Sequence, residues 1–287
     1  MASVSAIGLR RRGRTLGRRR PVVTKVALGV LGTIVLACLL ASAVAPYDPT
    51  RLAPTERFLS PSGSHPFGTD ELGRDLFSRV LYGGRYSLGI AFGATLVAML
   101  AGAVWGFAAA FGRGLVDELL MRFADVTMAI PQMLFALVFV AAFGATGPGL
   151  AIIIGALLTP VTARMVRSAV LGELQADYFT AAVAYGASTP RLMLRELLPN
   201  ISAPLGVQAA INAANALILE AALSFVGLGI QPPDASWGTL LQQGYQKMYQ
   251  STTYVIFPAL AIFVTIWMLN LLADQLGGTD DLRGRTG

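Results

Sequence analysis

The densest group of residues able to ligate a metal is Asp70, Glu71 and Asp75. Carboxylates are the ligand type that holds hard divalent cations. Two of these carboxylates are adjacent and Arg74 sits among them, so no metal site is assigned. His65 is the only histidine. It lies outside every apolar run, so no serine within a span has a histidine base beside it. Phosphate binding through a Gly-x4-Gly-Lys-Ser/Thr loop needs a lysine after glycine. The two lysines, Lys25 and Lys247, follow Thr24 and Gln246. Cys38 is the single cysteine; it has no disulfide partner and no ligand spacing around it. We therefore expect no catalytic residue and no cofactor on this chain. Any transport it performs must draw power from another protein.

Polar groups inside apolar runs offer a different chemistry, the solvation of a moving solute. Gln208, Asn212 and Asn215 recur at i, i+4 and i+7, which places them on one helical face. Facing lipid they would be costly, so the stripe should meet protein or a water-filled path. It can bond helices together, at about 0.6–2 kcal/mol per contact. It can equally line a translocation path, together with Gln132 beside Pro131. Glu220 lies off the stripe, where interfacial water or Arg85 could reach it.

The elements that position these groups are membrane helices. Apolar residues make up 54% of the 287 and charged residues 13%, against roughly 25% charged in soluble domains. A bilayer core needs about 20 apolar residues per helix. Uncharged runs cover 26–45, 86–112, 126–163, 197–219 and 248–273. The third is too long for one span and is broken by Gly144-Ala-Thr-Gly-Pro-Gly149, a turn by composition. The expected fold is all-α with six transmembrane helices. Pro131 and Pro160 should bend their helices. Gly89/Gly93 and Gly102/Gly106 are small-residue pairs suited to close helix packing.

Sixteen basic residues fall on one side of this arrangement and six on the other. The positive-inside rule then gives an N-in, C-in topology. Eight of the basic residues precede residue 26, so the net charge of +6 belongs to a tail and not to a nucleic-acid face. The run Arg10–Arg20 with Ala43-Val-Ala45 also resembles a cleaved signal sequence. Its apolar part exceeds the roughly 7–15 residues usual there, and an uncut anchor helix fits better. The expected division is a basic tail at 1–25, a first helix at 26–45, an external segment at 46–84, a five-helix core at 85–276 with a coupling loop at 168–203, and a tail at 277–287.

Within the external segment, Thr69 can cap a helix with Asp70 and Glu71 at its positive end. Leu76, Phe77, Val80 and Leu81 would form an apolar face, ended by Gly83-Gly84. This predicts an amphipathic helix on the membrane surface. On the inside, Gln175–Tyr185 reads as a short helix capped by Gly186. Thr189-Pro190 then starts a second helix that ends before Pro199-Asn200. Such an elbow suggests docking to another protein.

These residues resemble a known family. Ala181-Ala182, Gly186 and Leu198-Pro199 are similar to the EAA loop of ABC importer permeases, although Thr180 stands where the family often has glutamate. Glu196 stands where the peptide branch often has histidine. His65–Asp75 and Glu220–Gly238 resemble two signatures of the C-type permease of dipeptide, oligopeptide and nickel importers. The resemblance covers about residues 22–276. It implies the type I ABC importer fold. It implies a coupling loop in which Ala181, Ala182, Gly186, Arg191, Glu196, Leu198 and Pro199 dock an ATPase. The implied partners are two ATP-binding subunits that use ATP and Mg, a second, non-identical permease, and an external substrate-binding protein in the inner membrane system. The implied cargo is a peptide or related small solute. The alternative, an ion-coupled secondary transporter, needs intramembrane ionisable groups or broken helices in repeated halves, and the runs show neither.

Overall fold

The computed structural model describes residues 21–112 and 114–277. The expected basic tail, apart from its last residues, and the tail beyond 277 lie outside the described residues. Among the described residues all regular structure is helical. The helices are α1 (Pro21–Leu39), α2 (Ala41–Val44), α3 (Leu76–Gly112), α4 (Gly114–Ala129), α5 (Gln132–Phe143), α6 (Gly147–Glu173), α7 (Asp177–Ala184), α8 (Thr189–Arg191), α9 (Leu198–Asn200), α10 (Ser202–Phe225), α11 (Trp237–Gln246) and α12 (Thr253–Gly277). A π-helical stretch, Leu192–Leu197, joins α8 to α9.

Helices α1, α3, α6, α10 and α12 are each long and apolar enough to cross a bilayer. The pair α4 and α5 passes the same test only when taken together, bent by 85° at a short break containing Ile130-Pro131, which makes the spans five, or six if the pair counts as one. Proline lacks the N–H that would continue the ladder, and its ring crowds the preceding turn. The expected bend at Pro131 is therefore a break. Pro160 sits inside a continuous α6. Thr146 caps α6, its hydroxyl accepting from the Gly149 N–H at 3.2 Å, so the Gly144–Gly149 turn falls where composition put it.

The expected surface helix does not form. α3 begins at Leu76 and runs through Gly83-Gly84 without interruption. Leu76, Val80 and Leu81 are buried in the protein and not laid on lipid. Gly84 is a packing residue: a Cβ there would lie 2.3 Å from Cys38 Sγ and 2.8 Å from the Trp237 ring. The glycine pair lets a tryptophan and a cysteine approach the helix, and it does not stop it.

α3 and α6 share the most extensive helix contact, with α10 and α12 packed beside them and α1 against α12 and α3. Of the two small-residue pairs, Gly102/Gly106 makes the close approach. A Cβ on Gly106 would sit 2.6 Å from the Ala163 carbonyl oxygen and 2.7 Å from Val166 Cβ, whereas one on Gly89 would meet nothing. Gly106→Leu should therefore destabilise the purified protein by about 1–3 kcal/mol, as overpacking does. Gly89→Leu should leave it unchanged. Thermal denaturation in detergent separates the two.

Candidate functional site

The signature stretches and the elbow lie at opposite ends of α3. At one end the two signature stretches interlock. Asp75, not Thr69, caps α3: its Oδ2 accepts from the Ser78 N–H at 2.8 Å and from the Ser78 hydroxyl at 2.7 Å. Its Oδ1 holds His65 Nδ1 at 2.9 Å, while the imidazole stacks on Tyr47. Thr69 instead bonds the Leu59 N–H and the Glu56 carbonyl. Asp70 is buried and accepts from Arg74 Nε and Arg79 Nη1, both at 2.6 Å. Glu71 pairs with Lys247 at 3.6 Å. The three carboxylates thus serve three separate sets of partners. Asp75→Ala should cost about 0.5–2 kcal/mol, the range for a lost helix cap, and Asp75→Asn, which keeps an acceptor, should cost less. Comparative melting in detergent checks both.

Glu220 lies in α10 and is fully buried, so it reaches neither interfacial water nor Arg85. It accepts from the hydroxyls of Ser87 (3.0 Å) and Ser224 (2.7 Å). The Ser236 hydroxyl donates to Ser224 at 3.2 Å, and the Trp237 N–H donates to Ser87 at 3.0 Å. Trp237 is 1% exposed and its Nε1–H donates to the Val80 carbonyl at 2.8 Å. Arg79 also donates to the Tyr254 hydroxyl at 3.2 Å. α3, α10, α11 and α12 are pinned together by this knot. Arg85 takes another role. It donates to the carbonyls of Cys38 and Leu39, each at 2.8 Å, satisfying the unpaired C-terminal acceptors of α1.

The other end carries the elbow. Phe179, Leu192, Leu197 and Ile201 are buried against Phe107 and Ala110 of α3 and Val166 and Val170 of α6. These two spans lead away from the knot, and Phe107 is 28 residues from Arg79, about 40 Å along a helix. Gly186 has φ +75°, as expected of a helix-ending glycine. Ser188 occupies the N-cap position of the next helix, with Thr189 and Pro190 inside it. That helix does not stop before Pro199; it continues to Asn200. A wide turn makes this possible: the Leu198 N–H bonds to the Met193 carbonyl. Pro199 lacks the N–H that would bond Arg195, and the π-helical geometry absorbs the mismatch.

The elbow divides into a packed and a free side. Ala182 packs against the buried cluster, whereas Ala181, Gly186, Arg191 and Pro199 are exposed and Glu196 is half-buried. Leu198 lies at the edge of exposure. Burial pushes the Tyr178 phenol up to about 12, assisted by its hydrogen bond to the Glu173 carboxylate, which accepts at 2.6 Å. On the free side stand Val183, Tyr185 and Leu194, with Tyr185 91% exposed. The sequence reading missed these three. Val183 and Tyr185 lie within three residues of the capping Gly186, whereas nothing local marks Leu194.

The amide stripe separates. Gln208 and Asn212 are buried. Gln208 donates to Asn212 Oδ1 at 2.9 Å, and Asn212 donates to the Thr162 hydroxyl of α6 at 2.9 Å. They bond α10 to α6 and do not line a path in this conformation. Asn215 is exposed and Gln132 half-buried.

Known proteins resemble this chain over most of its length. Residues 80–278 match the model of the binding-protein-dependent transport system inner membrane component. The chain is 38% identical over 252 residues to a di/tripeptide transport system permease protein, DppC, of Pseudomonas aeruginosa, covering 85% of this chain and 82% of that protein. It is 37% identical over 257 residues to the dipeptide transport system permease protein DppC of Escherichia coli, covering 88% and 86%. It is 35% identical over 259 residues to the glutathione transport system permease protein GsiD of Pectobacterium atrosepticum, covering 90% and 86%. A chain of the inward-facing MetNI methionine ABC transporter superposes with a TM-score of 0.59 at 18% identity, over 74% of this chain and 98% of that one; this supports the type I ABC importer fold. With its spans, its knot and its elbow, this multi-pass chain belongs to the binding-protein-dependent transport inner membrane component family, the non-catalytic permeases of ABC importers.

Proposed function

We propose that this chain is one permease subunit of an ATP-driven importer of di- or oligopeptides, or of a related small solute. The knot faces outward and both termini face the cytoplasm. One of two ATP-binding subunits, which hold the ATP and Mg, docks on the elbow. A second, non-identical permease completes the pore, and an external binding protein delivers the substrate. The peptide cargo is supported by the transport named for its relatives.

The observation that carries this reading is the two-sided elbow. One side is sealed by Phe179, Leu192, Leu197 and Ile201 onto the ends of α3 and α6. The other presents Val183, Tyr185 and Leu194, an apolar set that a protein partner would bury. A push on the elbow therefore acts on two spans directly. To drive alternating access the docking contact must differ between the two states, because equal affinity for both shifts nothing. Coupling residues are then Ala181, Ala182, Gly186, Arg191, Glu196, Leu198 and Pro199, with Asn215 and Gln132 the remaining candidates for the path.

The test is co-purification in detergent with the ATPases, alongside ATP-driven peptide uptake in vesicles. Tyr185→Asp should reduce the ATPase recovered with the permease by about tenfold, since burying a charge opposite an apolar surface costs well over the 1.4 kcal/mol that corresponds to that factor. Undiminished recovery of the ATPase with this variant would remove the elbow as the docking surface.

A further inference from the structure

A cavity of about 280 Å3 opens beside the knot, between the first turns of α3, the segment at Pro49-Thr50 and the loop at Pro233–Ala235. Its volume is at the small end of ligand pockets, roughly 300–1,000 Å3. Arg79, Tyr82 and Tyr86, at i, i+3 and i+7 of α3, face it together with Arg85. Arg79 is 2% exposed. It shares the single carboxylate of Asp70 with Arg74, so two guanidiniums stand on one buried anion. The partners of Arg85 are all neutral: two carbonyls and the Ser42 hydroxyl, with its guanidinium 4.7 Å from the Tyr82 ring centroid.

Opposite the arginines is one carboxylate, the exposed Asp234, which lines the cavity beside the Tyr86 phenol. Asp48 is turned to its own loop, accepting from the Thr50 N–H at 2.7 Å and the Thr50 hydroxyl at 2.6 Å. The wall is therefore positive along α3 and negative at one point across from it. Arginine binds carboxylate with paired, charge-assisted hydrogen bonds, and a phenol rim adds donors.

We infer that this cavity is a carboxylate site that takes a short zwitterionic peptide, its terminal carboxylate toward Arg79 and Arg85 and its ammonium toward Asp234. It deepens the peptide-import reading above and rests on it for the outward placement of the cavity. A lone acidic side chain would meet the arginines but bring no cation to Asp234, which favours a zwitterionic peptide over a protein side chain.

The experiment places a cysteine at the exposed Thr50 (Thr50→Cys) in the full transporter in liposomes; the chain's own Cys38 is buried. The rate at which a membrane-impermeant thiol reagent modifies it is read with Ala-Ala, Ala-Ala amide and N-acetyl-Ala-Ala. Ala-Ala is expected to slow modification several-fold, and the amide to have no effect. Adding Arg85→Gln should raise the half-protecting concentration about tenfold, the scale of one charge-assisted hydrogen bond, and Arg85→Lys should raise it less. Because Arg85 also holds the end of α1, Asp234→Asn at the rim is the second variant; it should bring Ala-Ala down to the level of N-acetyl-Ala-Ala. Equal protection by the acid and the amide overturns the proposal. So does an absence of protection, or protection that requires the external binding protein and no peptide. Uptake of Ala-Ala is measured on the same liposomes. Protection without ATP-driven uptake would keep the site and reject the import reading.

Discussion

Gly186→Leu is expected to lower ATP-driven uptake by about tenfold or more while the protein still inserts in the membrane at its normal abundance. The backbone at Gly186 is left-handed, φ +75°, where a side chain costs roughly 1–2 kcal/mol. A Cβ there would meet nothing within 4 Å, so the substitution creates no clash inside the chain. The cost falls on the turn alone. That turn sets the angle between α7 and the helix from Thr189, and so the spacing of Val183 and Tyr185 from Leu194. Relaxing it out of the left-handed region displaces the docking surface but leaves the buried side of the elbow on α3 and α6. A factor of ten corresponds to about 1.4 kcal/mol, within the strain available. Gly186→Asn, a residue that tolerates this conformation better, should retain more uptake than Gly186→Leu. Vesicle uptake with immunoblotting of membranes checks the pair; normal uptake with leucine would sink the docking assignment.

Trp237→Ala should destabilise the whole transmembrane body, by about 3–5 kcal/mol as for other buried tryptophans. Trp237 is 1% exposed, fills the space left open by Gly84, and bonds both Val80 and Ser87. Trp237→Phe keeps most of the ring and loses the Nε1–H bond, for about 0.5–1.5 kcal/mol. Gly84→Val presses on the same contact from the opposite side and should resemble Trp237→Ala in effect. Melting of the purified protein in detergent and its abundance in membranes read all three. A Trp237→Ala protein that melts with the parent would contradict the knot as the clamp of α3, α10, α11 and α12.

Helix existence was legible because it is a one-dimensional property. Twenty apolar residues without charge must bury their backbone polar groups in hydrogen bonds to themselves, so length and composition suffice. The left-handed turn at Gly186 was legible for a similar reason, since few residues other than glycine adopt it. The two helices of the elbow followed from caps and proline. Their continuation through Pro199 did not follow, because the π-helical turn depends on how Leu192 and Leu197 seat against Val166 and Val170.

Side-chain partners were not legible, because they join residues far apart in the chain. Arg79 and Tyr254 are separated by 175 positions, and Ser87 and Glu220 by 133. No local pattern encodes such a pair. Asp70, Glu71 and Asp75 read equally well as a cap, a cluster or a surface patch until their partners were in place. Gln208 and Asn212 lay on the right helical face, but which neighbour that face meets, α6 or an open path, is decided by the packing of Gly102 and Gly106 against Thr162 and Val166. Residue order alone showed that this chain spans the membrane, contains no Gly-Lys phosphate loop, and carries two short helices hinged at Gly186. That the two signature stretches form a structural knot around Trp237 and Glu220, with a basic cavity at its edge, emerged only from the packing of distant helices. Apolar length and left-handed glycines act locally, whereas charge neutralisation and close packing require contacts that the fold alone assembles.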